Sequence, residues 1–242
     1  MNIVQKQFLD LRKKYPYLYL QKNPQGFIIE GTIFIESNNI KEQYEIEINI
    51  SEKYPTQIPC VKEIGGKIPK DFHHNQGYFC LETPFAVWEI FRKKETLLNF
   101  VDNLVVPYLL SYIFFKVSGK LPFGEHPHGA EGVLKDYKAR FNVKDDLLML
   151  NLLRILAENN YRGHQPCPCG SQKKLSKCHG KNIYHIIVDE KWVGFNFMKD
   201  YLMIICLLKE NNVINGISKY CSKKVKHTLN KIKYNPNEKW GY

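Results

Sequence analysis

The sequence predicts an α+β protein: an N-terminal helix, an antiparallel meander, C-terminal helices, a small metal knuckle and a short C-terminal α/β extension. Three observations carry this reading. Val4, Phe8 and Leu11 recur at helical spacing among Lys and Gln across residues 2–15, the pattern of a helix with one buried face. Tyr44, Ile46, Ile48 and Ile50 alternate with Glu45, Glu47 and Asn49, which puts one side of a strand in a core and the other in water. From Glu95 the apolar residues Leu97, Leu98, Val101, Leu104 and Val105 return to the helical period.

The other elements are taken in chain order. Residues 17–21, 26–36 and 43–50 are predicted as three strands, joined by turns at Asn23-Pro24-Gln25-Gly26 and Ser37-Asn38-Asn39, residue types that accept turn conformations. After Tyr54 the chain is punctuated by Pro55, Pro59, Gly65, Gly66 and Pro69. Proline has no amide to donate, so this stretch lies outside a central strand and forms a long exposed loop. Pro107 is predicted to open a second helix running through Leu110 and Phe114, since a first-turn proline loses no helical bond. A short basic helix over residues 132–140 comes next, and Asp145 or Asp146 caps another. In that last helix Leu147, Leu148, Leu150, Leu152, Leu153, Ile155 and Leu156 are too densely apolar for a free surface; it is read as a bridge between the N-terminal domain and the segments C-terminal to it. Beyond residue 183 the expectation is a strand at 184–188, another at 192–197 and a helix at 201–209, ending in a tail rich in lysine.

Composition bounds the function. The 242 residues are 44% hydrophobic, enough for a packed core. A net charge of +11 points to an acidic partner or to lysines spread over solvated faces. The second reading is favoured because no arginine-rich run or interleaved aromatic and basic motif is present, although nucleic acid stays open as a partner of the basic tail. The start Met1-Asn2-Ile3-Val4-Gln5 has no apolar signal segment. The seven cysteines are therefore expected to be reduced, in the cytoplasm, and used for chemistry or metal. No apolar run reaches the ~18 residues of a membrane span, the longest being Leu104 to Phe115 and Tyr201 to Leu208, and no membrane partner is expected.

Residues 73–81 read His-His-Asn-Gln-Gly-Tyr-Phe-Cys-Leu, with Trp88 eight positions after Cys80 and Tyr54-Pro55-Thr56-Gln57-Ile58-Pro59 upstream. In this order the motifs resemble the core of a ubiquitin-conjugating enzyme, in which a Tyr-Pro turn precedes His-x-Asn, Gly-x-x-Cys-Leu and a later Trp. The shortened spacing, with Asn75 five before Cys80 and the family's proline either replaced by His74 or lost, resembles bacterial conjugating-enzyme-like proteins of phage-defence operons. The segment Pro122-Phe123-Gly124-Glu125, His128-Gly129 and Gly132 resembles the same branch.

That resemblance covers residues 1–141 and implies a ubiquitin-conjugating-enzyme-like fold with Cys80 as the thioester-forming residue. It nominates Asn75 to stabilise the oxyanion, with His74 as an alternative donor or base. The implied cargo is a ubiquitin-like modifier or the C-terminus of a nucleotidyltransferase, as in CBASS systems, passed to a target lysine. No Gly-rich adenylate-binding segment is present, so a separate activating enzyme is implied, or a carboxyl activated elsewhere. For His73, His74 and His128 a loop-organising hydrogen bond is an equal alternative, and Trp88 is read as packing. Two rival functions stand beside conjugation: a catalytically inactive zinc-binding adaptor that recruits a partner, and a cysteine hydrolase pairing Cys80 with His128. Cys60, Cys206 and Cys221 are read as packing or incidental residues.

Residues 167–179 read Cys-Pro-Cys-Gly-Ser-Gln-Lys-Lys-Leu-Ser-Lys-Cys-His. Three thiolates and one imidazole supply the four tetrahedral donors that structural zinc wants, while Gly170 lets the chain turn behind the first pair. Lys173, Lys174 and Lys177 offset the thiolate charge. The segment resembles the SEC-C motif, a zinc module, with Cys167, Cys169, Cys178 and His179 at its ligand positions. The predicted domains are then 1–142 conjugating-like, 143–165 bridging helix, 166–182 zinc motif and 183–242 basic extension.

Overall fold

The computed structural model describes residues 1–37, 40–122, 129–215, 219–220, 222–223 and 225–227. The chain divides into two compact units, Met1–His126 and Pro127–Lys239.

The first unit is a mixed α+β fold. Helix α1, Ile3–Lys14, starts with a capping box: the Gln5 amide donates to Asn2 Oδ1 and the Asn2 amide to Gln5 Oε1, each at 2.9 Å. Two donors that helix geometry leaves unpaired are thereby satisfied. Its face of Val4, Phe8 and Leu11 is buried, as the periodicity predicts. Strands β1 (Leu18–Asn23), β2 (Gly26–Ser37), β3 (Ile40–Ser51) and β4 (Cys60–Glu63) form one antiparallel sheet in that order. Ile29 and Ile33 of β2 and Tyr44, Ile46, Ile48 and Ile50 of β3 point into the core; Glu45 and Glu47 point out. The alternation in β3 is therefore the pleat itself.

Two short strands, β5 (His74–Asn75) and β6 (Tyr78–Phe79), make a separate hairpin, followed by α2 (Pro84–Lys93). A continuous helical stretch then runs from Leu97 to Ser118: α3 (Leu97–Phe100), a π-turn (Val101–Val105) and α4 (Val106–Ser118). Here the expectation of a helix newly opened by Pro107 is corrected. The amide of Val106 donates to Val101 O in a wide turn, and such a turn absorbs the missing donor and the bulk of Pro107, so the helix continues. At 22 residues it is long and apolar enough to cross a membrane by length and composition, although Asp102 and Asn103 interrupt its apolar run. Its residues Leu97, Phe100, Val101, Leu104, Val105, Leu109 and Ile113 are packed into the sheet's core. Gln7 ties the unit together: its Nε2 donates to Glu95 O at 2.8 Å, while its Oε1 accepts from the Leu97 amide at 3.0 Å and from the Tyr54 hydroxyl.

The second unit is helical in its described residues: α5 (Gly129–Phe141), α6 (Asp146–Glu158), α7 (Gly180–Val188) and α8 (Phe197–Glu210), with the Cys-rich knuckle between α6 and α7. Asp145 is the cap of α6, its carboxylate accepting the Leu148 amide at 2.9 Å. Two expectations are corrected here. Residues 184–188 belong to α7, and a 3-10 turn at Glu190–Trp192 replaces the second strand; the extension is not α/β in its described residues. The β-branched run Ile186-Ile187-Val188 suggested a strand, but packing on neighbouring helices overrides so weak a propensity. Further, α5 packs on α6 and α8, so residues 129–141 join the second unit instead of closing the first at 142. Within that unit the apolar α6 packs on α8, α5 and α7. At the centre, Tyr137 donates to the buried Asp200 carboxylate at 2.8 Å.

Candidate metal centre and candidate thioester cysteine

The metal centre is assembled by a narrow ladder of backbone bonds. The Leu175 amide donates to Gln165 O, the Cys167 amide to Lys173 O, both at 2.8 Å, and the Ser176 amide to Gly163 O at 3.0 Å. This holds residues 163–167 against 173–176. The chain reverses between them through Gly170 (φ 81°) and Gln172 (φ 59°), both left-handed, which glycine reaches without penalty. Cys178 follows the single 3-10 turn Leu175–Lys177, and His179 stands at the residue just before α7. Gly180 is required there, because a Cβ at that position would stand 2.4 Å from Leu175 O.

All four expected ligands converge. Their donor atoms lie within 4.8 Å of one another. Cys167 Sγ is 3.4 Å and Cys178 Sγ 3.3 Å from His179 Nδ1, and Cys169 Sγ is 3.5 Å from Cys178 Sγ. A tetrahedron with metal–sulfur bonds of ~2.3 Å and metal–nitrogen bonds of ~2.0–2.1 Å has edges of about 3.5–3.8 Å, and these three separations fall within a few tenths of an ångström of that. One contact was not anticipated. His179 Nε2 lies 2.9 Å from Phe141 O; the carbonyl can only accept, so the ring proton sits on Nε2 and Nδ1 is left as the ligand atom. No sequence signal links Phe141 to His179, 38 positions apart.

Cys167 and Cys169 do not ionise alike by themselves. Burial pushes Cys167 up to about 11. At Cys169 burial also opposes ionisation, but hydrogen bonds from Ser171, Cys167 and Cys178 outweigh it and bring the thiol down to about 6. A divalent cation held there would favour the thiolate forms of its cysteine ligands.

Cys80 lies in the first unit, directly after β6. Its hairpin turns through Gln76 (φ 52°) and Gly77 (φ 85°), two left-handed residues whose twist matches the paired strands. His74 pairs with Phe79 and Asn75 with Tyr78, and the Cys80 amide donates to His73 O at 2.7 Å, extending the ladder by one step. The hairpin is clamped by α4: Phe79 stacks on Tyr108 at 4.1 Å and 19°, and the Tyr108 hydroxyl donates to Phe72 O at 2.9 Å. Burial pushes the half-buried Cys80 thiol up, and the nearby Glu82 carboxylate adds to this.

The structure thus brings His73 and Cys80 into register and turns His74 elsewhere. The His74 ring stands edge-on to Phe79 and Tyr108, 5.5 and 6.4 Å away, with its Nδ1 buried. Asn75 is in place along the backbone, the role assigned to its side chain lies outside the described groups, and His128 lies outside the described residues. Trp88 is buried in α2 with the Arg92 guanidinium 5.5 Å from its ring, the packing role expected of it. Tyr108 was missed: in the sequence it is one aromatic in an apolar helix, with no mark of the hairpin it holds. Cys60 is half-buried on β4, paired with Asn49, and Cys221 is outside the described residues.

Residues 165–181 match the SEC-C motif, a zinc-binding type of module. A search of curated proteins gives no match to the chain. What the comparisons and the geometry establish together is a SEC-C motif whose four ligand positions are arranged to hold a metal.

Proposed function

We propose that the first unit carries an acyl group as a thioester on Cys80 and passes it to a lysine amine, while the second unit is stapled by structural zinc. The observation that carries this reading is the placement of Cys80: half-buried, beside a tight hairpin clamped onto α4, outside the main sheet. A thioester carrier needs such a site, with a sulfur that a partner can reach and a loop held rigid around it. The order of helix, antiparallel meander, cysteine hairpin and helices supports a ubiquitin-conjugating-enzyme-like fold.

In the first step, Cys80 sulfur attacks a C-terminal carbonyl activated as a thioester or an adenylate on a separate enzyme. A sulfur–carbon bond forms, and the thiol or AMP departs. In the second, the lysine nitrogen attacks that carbonyl; the nitrogen–carbon bond forms, the sulfur–carbon bond breaks, and the proton returns to Cys80. Burial keeps the resting thiol protonated, so the reactive thiolate forms when a partner docks. Asn75 is the oxyanion donor in this reading. The packing of His74 against Phe79 and Tyr108 favours the loop-organising role for it. By resemblance to the bacterial defence proteins, the cargo is a ubiquitin-like modifier or a nucleotidyltransferase C-terminus, and the process is antiphage conjugation in the cytoplasm.

Zinc fits the knuckle because four protein donors complete its tetrahedron and leave no position for substrate. The raised Cys80 thiol also favours a second reading, an adaptor that recruits a partner without a covalent step. Intact-mass spectrometry of wild type and Cys80→Ser, co-expressed with neighbouring gene products and kept free of thiols, separates the two. Conjugation predicts an adduct on wild type that added thiol releases, and a thiol-resistant ester or nothing on Cys80→Ser. Only the bare masses plus zinc, with an activating partner present, would overturn it in favour of the adaptor.

A further inference from the structure

The positive charge is not spread evenly over the two units. Residues 127–239 hold twenty Lys and Arg against ten Asp and Glu, and so ten of the chain's eleven net positive charges. Within them, the 30 residues between Glu158 and Asp189 contain Arg162, Lys173, Lys174, Lys177 and Lys181 and no carboxylate. All five cations are exposed, and none pairs with a carboxylate among the described residues.

The knuckle folds aromatic rings into this basic surface. Tyr161 and Tyr184 meet at 5.4 Å with their planes tilted by 51°. Tyr161 lies against Gly163 and Gly180, near enough that a Cβ at either would stand 3.1 or 2.7 Å from its hydroxyl. Arg162 follows Tyr161 in the chain, Lys181 follows Gly180, and Lys177 follows Ser176, whose Cβ stands 3.2 Å from where a Cβ on Gly163 would lie. Lys181 and Tyr184 are one turn apart on α7 and share a face. Tyr184 is 53% exposed, which leaves a ring free to stack. The sequence contains no interleaved aromatic and basic run here; folding brings together residues 23 positions apart.

We infer that this surface of the knuckle binds single-stranded nucleic acid, with the Tyr161–Tyr184 pair stacking a base and Arg162, Lys177 and Lys181 contacting phosphates. An exposed ring set among unpaired cations is the combination that single strands use, since every base offers a flat face and every linkage a charge. An acidic protein would use the cations and leave the rings idle. The inference requires the knuckle to be folded and is independent of any chemistry at Cys80.

The test is fluorescence anisotropy of a labelled oligo-U of about 20 nucleotides against the full-length, zinc-loaded chain. Three phosphate contacts predict a slope of log affinity against log salt near −2, roughly an 18-fold loss between ~50 and ~200 mM salt. Tyr184→Ala is expected to weaken binding by roughly 5- to 150-fold. Lys177→Gln with Lys181→Gln should flatten the slope by about 1.4. Both variants alter exposed side chains, and unchanged zinc content and melting temperature verify that they fold. No binding at low salt by the folded, zinc-loaded protein overturns the inference. So does binding that Tyr184→Ala leaves unchanged and that a poly-glutamate peptide matches, which assigns the surface to an acidic protein.

Discussion

Replacing Asp200 by Asn should stabilise the second unit at neutral and alkaline pH and lose that advantage as pH falls. Asp200 is 1% exposed in the first turn of α8, and burial is the main reason its carboxyl rises from 3.8 to about 7; the Tyr137 hydrogen bond and the Lys199 ammonium only partly oppose it. A carboxyl with a raised folded value binds its proton more tightly folded than unfolded. Its contribution to stability is thus complete below the unfolded value, near pH 4, and is lost as pH rises through the folded value. Three pH units at ~1.36 kcal/mol each put the whole loss at about 4 kcal/mol. Between about pH 5.5 and 8, where the zinc site stays loaded, about 2 kcal/mol of it is exposed to measurement.

Asn keeps an oxygen to accept from Tyr137 and does not titrate. The difference in melting temperature between Asp200→Asn and wild type should therefore widen by about 10 °C over that interval, at roughly 4–8 °C per kcal/mol for a unit of this size. Hydrogen exchange of the α8 amides reports the same unit directly. Because both proteins share the metal ligands, metal titration cancels in the comparison. A difference that is flat with pH, or one that favours wild type at pH 8, would refute the account of Asp200 as a buried carboxyl held against its charge.

Three further outcomes are expected. Stripping the metal with a chelator should abolish exchange protection across residues 163–188 while α6 and α8, which pack on each other, remain protected; loss of protection throughout the unit would show the metal to be its core. Gly180→Ala forces a Cβ to 2.4 Å from Leu175 O, which should cost ~1–3 kcal/mol and appear as faster zinc release to a colorimetric chelator. Gly77→Ala meets open space but must keep a φ of 85°; a cost of ~1–2 kcal/mol should loosen the hairpin and raise the rate at which iodoacetamide alkylates Cys80, whereas an unchanged rate argues against hairpin control of that thiol.

What the sequence determined by itself was local and periodic. The face of α1, the alternation in β3 and the Asp145 cap each depend on residues within a few positions of one another, so spacing alone reveals them. The metal ligands were legible for the same reason: all four fall within 13 residues, and thiolates beside an imidazole at that spacing have few other uses. The tertiary structure decided what depends on distant partners. It joined α5 to α6 and α8, because the apolar face of α6 needs cover that no neighbour in sequence provides. It carried one helix through Pro107 by widening a turn, and made residues 184–188 helical where β-branched side chains suggested a strand. It also chose the partners of the functional groups: Phe141 orienting His179, Tyr108 clamping the Cys80 hairpin, and Tyr161 meeting Tyr184 among lysines. These contacts carry no sequence signature, since each is a pairing created when separate segments bury their apolar surfaces together.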